Sequence, residues 1–115
     1  TRINHLFIAG LCPLLGIHTP LHRSEDLGGV EGKNERLIHL CQALGANEYL
    51  SGPAASHYLD EAAFAAEGIA VSYMSYAGYP EYPQVYGDFQ HAVSVIDLLF
   101  NTGADASAFL NKRAA

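Results

Sequence analysis

The sequence predicts an α/β fold: a small three-stranded parallel sheet with helices on both faces, forming part of a larger α/β domain. A helix–glycine–strand pattern occurs three times along the chain, and such units imply parallel strands joined by crossovers. The chain has 115 residues, of which 50% are hydrophobic, so it can enclose one core but not two. Residues 1–115 are therefore predicted to form a single domain.

The first unit is a helix over residues 3–15 that ends at Gly16. Its apolar residues recur with helical spacing: Ile3, Leu6, Phe7, Leu11, Leu14 and Leu15. A strand is predicted near residues 19–23, where Pro20 indicates an edge position because proline has no N–H to donate. A polar loop over residues 24–29 follows.

The central unit, residues 32–60, repeats the pattern. Residues at i, i+3, i+4 and i+7 give its helix one apolar stripe: Leu37, Leu40, Cys41 and Leu44. Gly45 follows where helices commonly end in a left-handed residue. A strand is predicted over 47–51, and Gly52 with Pro53 ends it and opens another helix.

The last copy of the pattern is the weakest. Residues 64–69 end a helix, and residues 70–75 are predicted to form a strand. Residues 77–89 are rich in proline, glycine and tyrosine and are predicted to be a loop. A helix over 92–101 and a short helix from Asp105 follow, and residues 112–115 are expected to fray.

Composition excludes several classes of protein. The net charge is −6 and the six basic residues are scattered, so no nucleic-acid surface and no docking on anionic lipid is expected. No apolar run approaches the roughly 20 residues of a membrane span.

Cys12 and Cys41 fall in the apolar register of predicted helices, which favours buried thiols over a disulfide. Motifs for zinc and for nucleotide phosphates are absent, so neither a metal nor a cofactor is predicted.

Polar residues follow the predicted strands. Open parallel sheets bind ligands outside the carboxyl ends of their strands, which here carry Ser24, Ser51 with Gly52, and Ser75. This pattern favours a ligand site, although serine and glycine are also ordinary loop residues.

Two cations, Lys33 and Arg36, lie in the first turn of the central helix at the same edge. Cations there oppose the helix dipole, and a bound phosphate or carboxylate would offset that cost. The alternative is that Glu31 and Glu35 neutralise them on a solvated face.

Asp97 lies in an apolar helical run and needs a partner where it is buried. Arg36 or a loop amide is the expected partner, and a catalytic role is the alternative.

The tyrosines of residues 76–86 are suited to stack on a sugar ring or a base, or to cover the core. A hydrolase with Ser51 as nucleophile, His57 as base and Asp60 as orienting acid is a minor alternative, because the sequence around Ser51 is not a GxSxG elbow.

Several ordered motifs resemble the WbqC-like protein family over nearly the whole chain. They are Gly32-Lys33-x-x-Arg36-Leu37, Leu40-Cys41-x-x-Leu44-Gly45-Ala46, Tyr49-Leu50-Ser51-Gly52-Pro53-Ala54, Tyr58-Leu59-Asp60, Tyr82-Pro83-Gln84 and Ser94-x-x-Asp97-Leu98-Leu99-Phe100-Asn101-x-Gly103. The resemblance is to the C-terminal half of the family. An exposed apolar patch, or a partner or second copy covering it, is therefore expected where the other half would pack.

The resemblance implies a bacterial cytoplasmic protein of O-antigen or surface-polysaccharide biosynthesis, and amino-acyl (glycine) transfer is among the activities described for such proteins. Its substrate would be an anionic small molecule or a sugar nucleotide. A non-catalytic ligand-binding or assembly module of the same pathway is the alternative. The expected ligand-binding residues are Ser24, Lys33, Arg36, Ser51, Gly52, Tyr58, Asp60, Gln84 and Asp97.

Overall fold

The computed structural model describes residues 1–110, so the fraying predicted for 112–115 lies outside the described residues. The helices are α1 (Arg2–Leu14), α2 (Lys33–Ala43), α3 (Glu61–Ala66) and α4 (Val95–Thr102), and the strands are β1 (Glu48–Ser51) and β2 (Ala70–Tyr73). The chain divides into two compact units: a central unit, residues 22–75, and a terminal unit made of residues 1–21 and the described residues from 76 onward.

The sheet of the central unit has two parallel strands. Glu48 pairs with Ala70 and Ser51 pairs with Tyr73, which confirms the strands predicted over 47–51 and 70–75 and their direction. The 3₁₀ helix Pro53–His57 and α3 connect them. The fold is therefore a mixture of helices with a small parallel sheet.

The prediction of a further strand near residues 19–23 is wrong. Residues 17–23 have no regular structure, and the described residues contain a two-stranded sheet. Pro20 has no N–H, so this segment cannot complete a ladder of backbone hydrogen bonds. The expectation of helices on both faces of the sheet stays a prediction.

The repeated pattern corresponds to one helix-ending motif used three times. Gly16, Gly45 and Gly68 have φ of 70°, 64° and 72°. In each case the residue after the glycine donates to the carbonyl five residues earlier: Ile17 to Cys12, Ala46 to Cys41 and Ile69 to Phe64, at 2.8–3.0 Å. The glycine N–H donates to the carbonyl three residues back. These are Schellman motifs, which satisfy the free carbonyl groups at a helix end.

The core of the central unit joins α2 and α3 to the sheet. Cys41, Phe64 and Ile69 are buried, and half-buried apolar side chains such as Leu37 and Val71 pack around them. The Tyr49 ring stacks on Phe64 with centroids 5.4 Å apart. Cys41 and Cys12 are free thiols, and burial raises the pKa of the Cys41 thiol, so it serves as a small apolar side chain.

The terminal unit has a core of its own, made by Leu15, Leu98 and Ala106, so the described residues form two buried clusters where the sequence predicted one core. The helix predicted over 92–101 begins later, at Val95, because the Ser94 hydroxyl caps it by accepting from the Ile96 N–H at 3.3 Å. Residues 77–89 are irregular, as predicted. The final short helix is the 3₁₀ helix Gly103–Phe109. None of the described helices is both long and apolar enough to cross a bilayer.

Candidate functional site

The carboxyl ends of the strands and the starts of two helices meet at one edge of the central unit. Asn34, in the first turn of α2, accepts a hydrogen bond at 3.2 Å from the backbone N–H of Asp60, which precedes α3. The Tyr73 hydroxyl, at the end of β2, donates to the Glu61 carboxylate at 2.8 Å. Lys33 is the first residue of α2, so its cation belongs to this edge.

Lys33 and Arg36 are exposed and form no ion pair within residues 1–110, where Arg23 with Glu25 is the one pair. The predicted neutralisation by Glu31 and Glu35 thus does not take the form of an ion pair. The Glu35 carboxylate lies instead against the backbone of Gly32. Two cationic side chains therefore remain available at a helix start that already has free N–H groups.

The remaining residues predicted for this edge have mixed environments. Ser51 and Gly52 are half-buried at the end of β1, and the Ser51 carbonyl accepts from the Met74 N–H at 2.7 Å. The Asp60 carboxylate caps α3 by accepting from the Ala63 N–H at 3.1 Å, which is a folding role. Tyr58 is 60% exposed. Ser24 begins the 3₁₀ helix Ser24–Leu27, which packs on α2, and no described hydrogen bond joins it to the strand ends.

No hydrogen bond within residues 1–110 connects Ser51 to His57, so the geometry gives the hydrolase alternative no support. Those residues likewise contain no group of three histidine, cysteine or acidic side chains placed to hold a metal ion. A depression of about 580 Å³ in the central unit lies along α2 and α3, from Val30 to Glu67, and includes none of the predicted site residues.

Asp97 and Gln84, the predicted site residues of the terminal unit, are in contact. Asp97 accepts hydrogen bonds from the Tyr82 hydroxyl at 2.8 Å and from the Gln84 side-chain amide at 2.9 Å. Gln84 also accepts from the backbone N–H of Gln90 at 2.8 Å and donates to its carbonyl at 3.1 Å. Asp97 thus has neutral side-chain donors of its own unit, which differ from the expected arginine or backbone amide. This cluster holds the 82–90 loop on α4.

A cleft of about 480 Å³ opens in the terminal unit between this loop and α4. Six aromatic side chains line it: Tyr76, Tyr79, Tyr82, Phe89, His91 and Phe109. Tyr82 packs edge-on against Phe89 and Phe109, with ring centroids 5.0 and 5.8 Å away. Burial and the hydrogen bond to Asp97 raise the pKa of the Tyr82 hydroxyl, so it stays a neutral donor.

Tyr82 packs against the core, as one interpretation of the tyrosine-rich loop predicts. Tyr76 and Tyr79 line the cleft, and stacking of these tyrosines on a ligand stays a prediction. Phe89, His91 and Phe109 were not among the predicted site residues. These residues could not be predicted from the sequence. Isolated aromatic residues in an irregular segment and a short 3₁₀ helix show no periodicity that would assign them to one surface.

Two parallel strands with a helical crossover, and polar side chains at the strand ends, define a small α/β protein. The WbqC-like protein family matches residues 1–109, and the chain belongs to that family. This confirms the resemblance found in the sequence motifs.

Among curated proteins, the chain is similar to uncharacterized protein Rv1507c of Mycobacterium tuberculosis, with 45% identity over 108 residues. The match covers 94% of this chain and 47% of the relative, so the chain spans about half the length of the curated relative it matches. No solved structure matches the chain.

Proposed function

We propose that this chain forms part of a transferase that acts in the bacterial cytoplasm on an anionic substrate, such as a sugar nucleotide, in surface-polysaccharide assembly. Amino-acyl (glycine) transfer in O-antigen biosynthesis is the specific activity that the family resemblance suggests. The observation that carries the proposal is the pair of cations in the first turn of α2, Lys33 and Arg36, which have no ion-pair partner among residues 1–110.

The physical reason is complementarity of charge. Free N–H groups, the helix dipole and two cations contribute positive potential at this edge, although the chain as a whole has a net charge of −6. The carboxylates of Glu35, Asp60 and Glu61 at the same edge are engaged with Gly32, the start of α3 and Tyr73. A phosphate or carboxylate would gain charge-assisted hydrogen bonds from these cations, and Ser51 at the end of β1 adds a hydroxyl at the same edge. Ser24, Gly52, Tyr58 and Asp60 complete the proposed site in the central unit. Gln84 and Asp97 of the terminal unit stay separate candidate ligand-binding residues.

The test is a screen of the full-length protein with sugar nucleotides and acyl donors, read as a shift in melting temperature. The variant combines Lys33→Gln and Arg36→Gln, and Arg2→Gln is the control because it removes an exposed arginine elsewhere. We expect the double variant to lose the ligand-induced shift, and the control to keep it, with both unliganded melting temperatures unchanged. A double variant that melts lower but still responds to the ligand would assign the two cations to folding instead.

The alternative is a non-catalytic ligand-binding or assembly module. It is favoured by the environment of the titratable groups, because Asp60 caps a helix and Asp97 holds a loop, so neither carboxylate is clearly free for acid–base chemistry. To separate the two functions, each ligand that binds is incubated with candidate acceptors and the full-length protein. Mass spectrometry then detects whether a transferred product forms. Binding without any transferred product would favour the module.

A further inference from the structure

We propose that the cleft of the terminal unit binds an uncharged planar aromatic ring, with the Ser94 hydroxyl donating a hydrogen bond to a polar group on that ring. This inference is independent of the anion site proposed above. It rests on the volume of the cleft, on its lining and on the distribution of charge around it.

The volume and the lining are those of a small-molecule site. Ligand sites typically enclose about 300–1,000 Å³ and are lined by apolar and aromatic side chains with a few polar groups, and this cleft has about 480 Å³. Pro80, Val93 and Leu110 complete the apolar walls. The loop is held in place by the Gln84 and Asp97 hydrogen bonds, so the cleft is formed before a ligand arrives.

The distribution of charge determines the class of ligand. Among the described residues, no aspartate, glutamate, lysine or arginine lines the cleft. A cation would therefore lose its hydration without gaining an ion pair, and an anion would find His91 alone in the lining. The four carboxylates of the described terminal unit, Glu81, Asp88, Asp97 and Asp105, against a single arginine, Arg2, further disfavour an anion.

Hydrogen bonding distinguishes an aromatic ring from a sugar. A sugar carries hydroxyl groups around its whole edge, whereas the polar side-chain groups of the lining are limited to three tyrosine hydroxyls, the His91 ring and the Ser94 hydroxyl. The Tyr82 hydroxyl already donates to Asp97. The Ser94 hydroxyl accepts from the Ile96 N–H and has no acceptor for its own hydrogen among residues 1–110. A mainly aromatic wall with the Ser94 donor at its edge fits a flat ring that carries an acceptor.

The test uses the full-length protein and an isosteric pair of probes, neutral benzamide and anionic benzoate, with methyl glucoside as the sugar probe. Binding is measured by saturation-transfer NMR and by competition between the probes. We expect benzamide to bind at least tenfold more tightly than benzoate, and methyl glucoside to give no signal. Preferential binding of benzoate or of methyl glucoside, or no binding of benzamide, would overturn the proposal.

The location is tested with two matched substitutions in the irregular 76–94 segment. Val93→Trp places an indole in the cleft, whereas Val85→Trp adds the same side chain at a position that is 73% exposed and outside it. Benzamide affinity should fall at least tenfold in the first variant and stay unchanged in the second. Equal affinity in both would place the bound ring elsewhere.

A second variant keeps the proposal testable if Val93→Trp does not fold. Ser94→Asp preserves an oxygen that caps α4 but replaces the donor with a carboxylate, so the affinity for benzamide should fall while the melting temperature is retained. The Lys33→Gln and Arg36→Gln double variant should bind benzamide normally. Loss of binding in that double variant would assign the ring to the anion site and refute the separate cleft.

Discussion

At the scale of single residues, Asp97 shows how one carboxylate organises a loop. It is half-buried in an apolar helix, and its partners come from a segment without regular structure. Pairing with neutral donors satisfies the carboxylate and also fixes the Tyr82 ring against Phe89 and Phe109. Asp97 therefore positions the wall of the cleft without lining the cleft itself.

Replacing Asp97 by alanine should destabilise the protein by about 1–3 kcal/mol, because the Tyr82 hydroxyl and the Gln84 amide lose their acceptor. Asp105→Ala is the control, since Asp105 is also an acidic residue in the first turn of a helix but is exposed. It should change the free energy of unfolding by less than about 0.5 kcal/mol. Urea unfolding of the full-length variants measures both values, and equal losses would show that the hydrogen bonds to Asp97 contribute nothing beyond surface charge.

At the scale of elements, the three Schellman motifs explain why the same sequence pattern recurs. Each motif turns the chain out of a helix and brings the residue after the glycine back to the last helical turn. In the central unit this contact continues into the core, where Ile69 packs with Phe64. The glycine is required because an L-residue with a side chain rarely adopts positive φ.

Two glycine-to-alanine substitutions should therefore have opposite effects. Gly45→Ala should destabilise the protein by about 1–2 kcal/mol, since Gly45 has a φ of 64°. Gly10→Ala should stabilise it by about 0.5–1 kcal/mol, because Gly10 lies inside α1 and an added β-carbon meets no atom within 4 Å. Thermal unfolding of the two variants gives the signs directly. Gly10 lies one helical turn from Leu6 on the same face of α1, so its effect is measured in the 115-residue chain, where that face is exposed. A destabilising Gly10→Ala in that chain would contradict the prediction.

The elements also separate what the sequence could predict from what it could not. The helix ends at Gly16, Gly45 and Gly68 were predictable because the motif is local. The strand after the first helix end was not, since a strand needs a partner and residues 17–23 contain Pro20 and pair with none of the described strands. The start of α4 shifted for a local reason, because Ser94 is a stronger cap than the residues before it.

The same distinction holds for the candidate site. Asp97 and Gln84 could be named from family motifs, and the structure brings them into contact. Tyr82 as the partner of Asp97 could not be predicted, because the path of a loop with two prolines follows no period. Lys33 at the helix start was predictable from periodicity and from the glycine before it. The ligand of Lys33 stays a prediction. The local sequence determines the charge at a helix end, but it does not determine which molecule binds there.

At the scale of the whole molecule, the terminal unit has many large apolar side chains that lie at its surface and not in its core. α1 has no buried residue, and Ile3, Leu6 and Leu14 are 68%, 67% and 62% exposed. On α4, Phe100 is 87% exposed, and it lines an apolar groove of about 530 Å³ together with Phe7 and Leu11. A contiguous apolar surface of this kind was expected from the family resemblance, and such surfaces usually mark contacts with other protein segments.

We expect further chain of the full-length protein to cover α1, because the curated relative is about twice as long as the matched segment. Leu6→Glu would then bury a charge and should lower the free energy of unfolding of the full-length protein by several kcal/mol. Asn4→Glu adds the same carboxylate to the same helix at a polar position and should change it by less than about 0.5 kcal/mol. Chemical unfolding compares the two variants, and hydrogen exchange of the α1 amides reports whether the helix is protected. If the protein tolerates both substitutions equally and α1 exchanges rapidly, the apolar surface faces solvent and another partner must be sought for it.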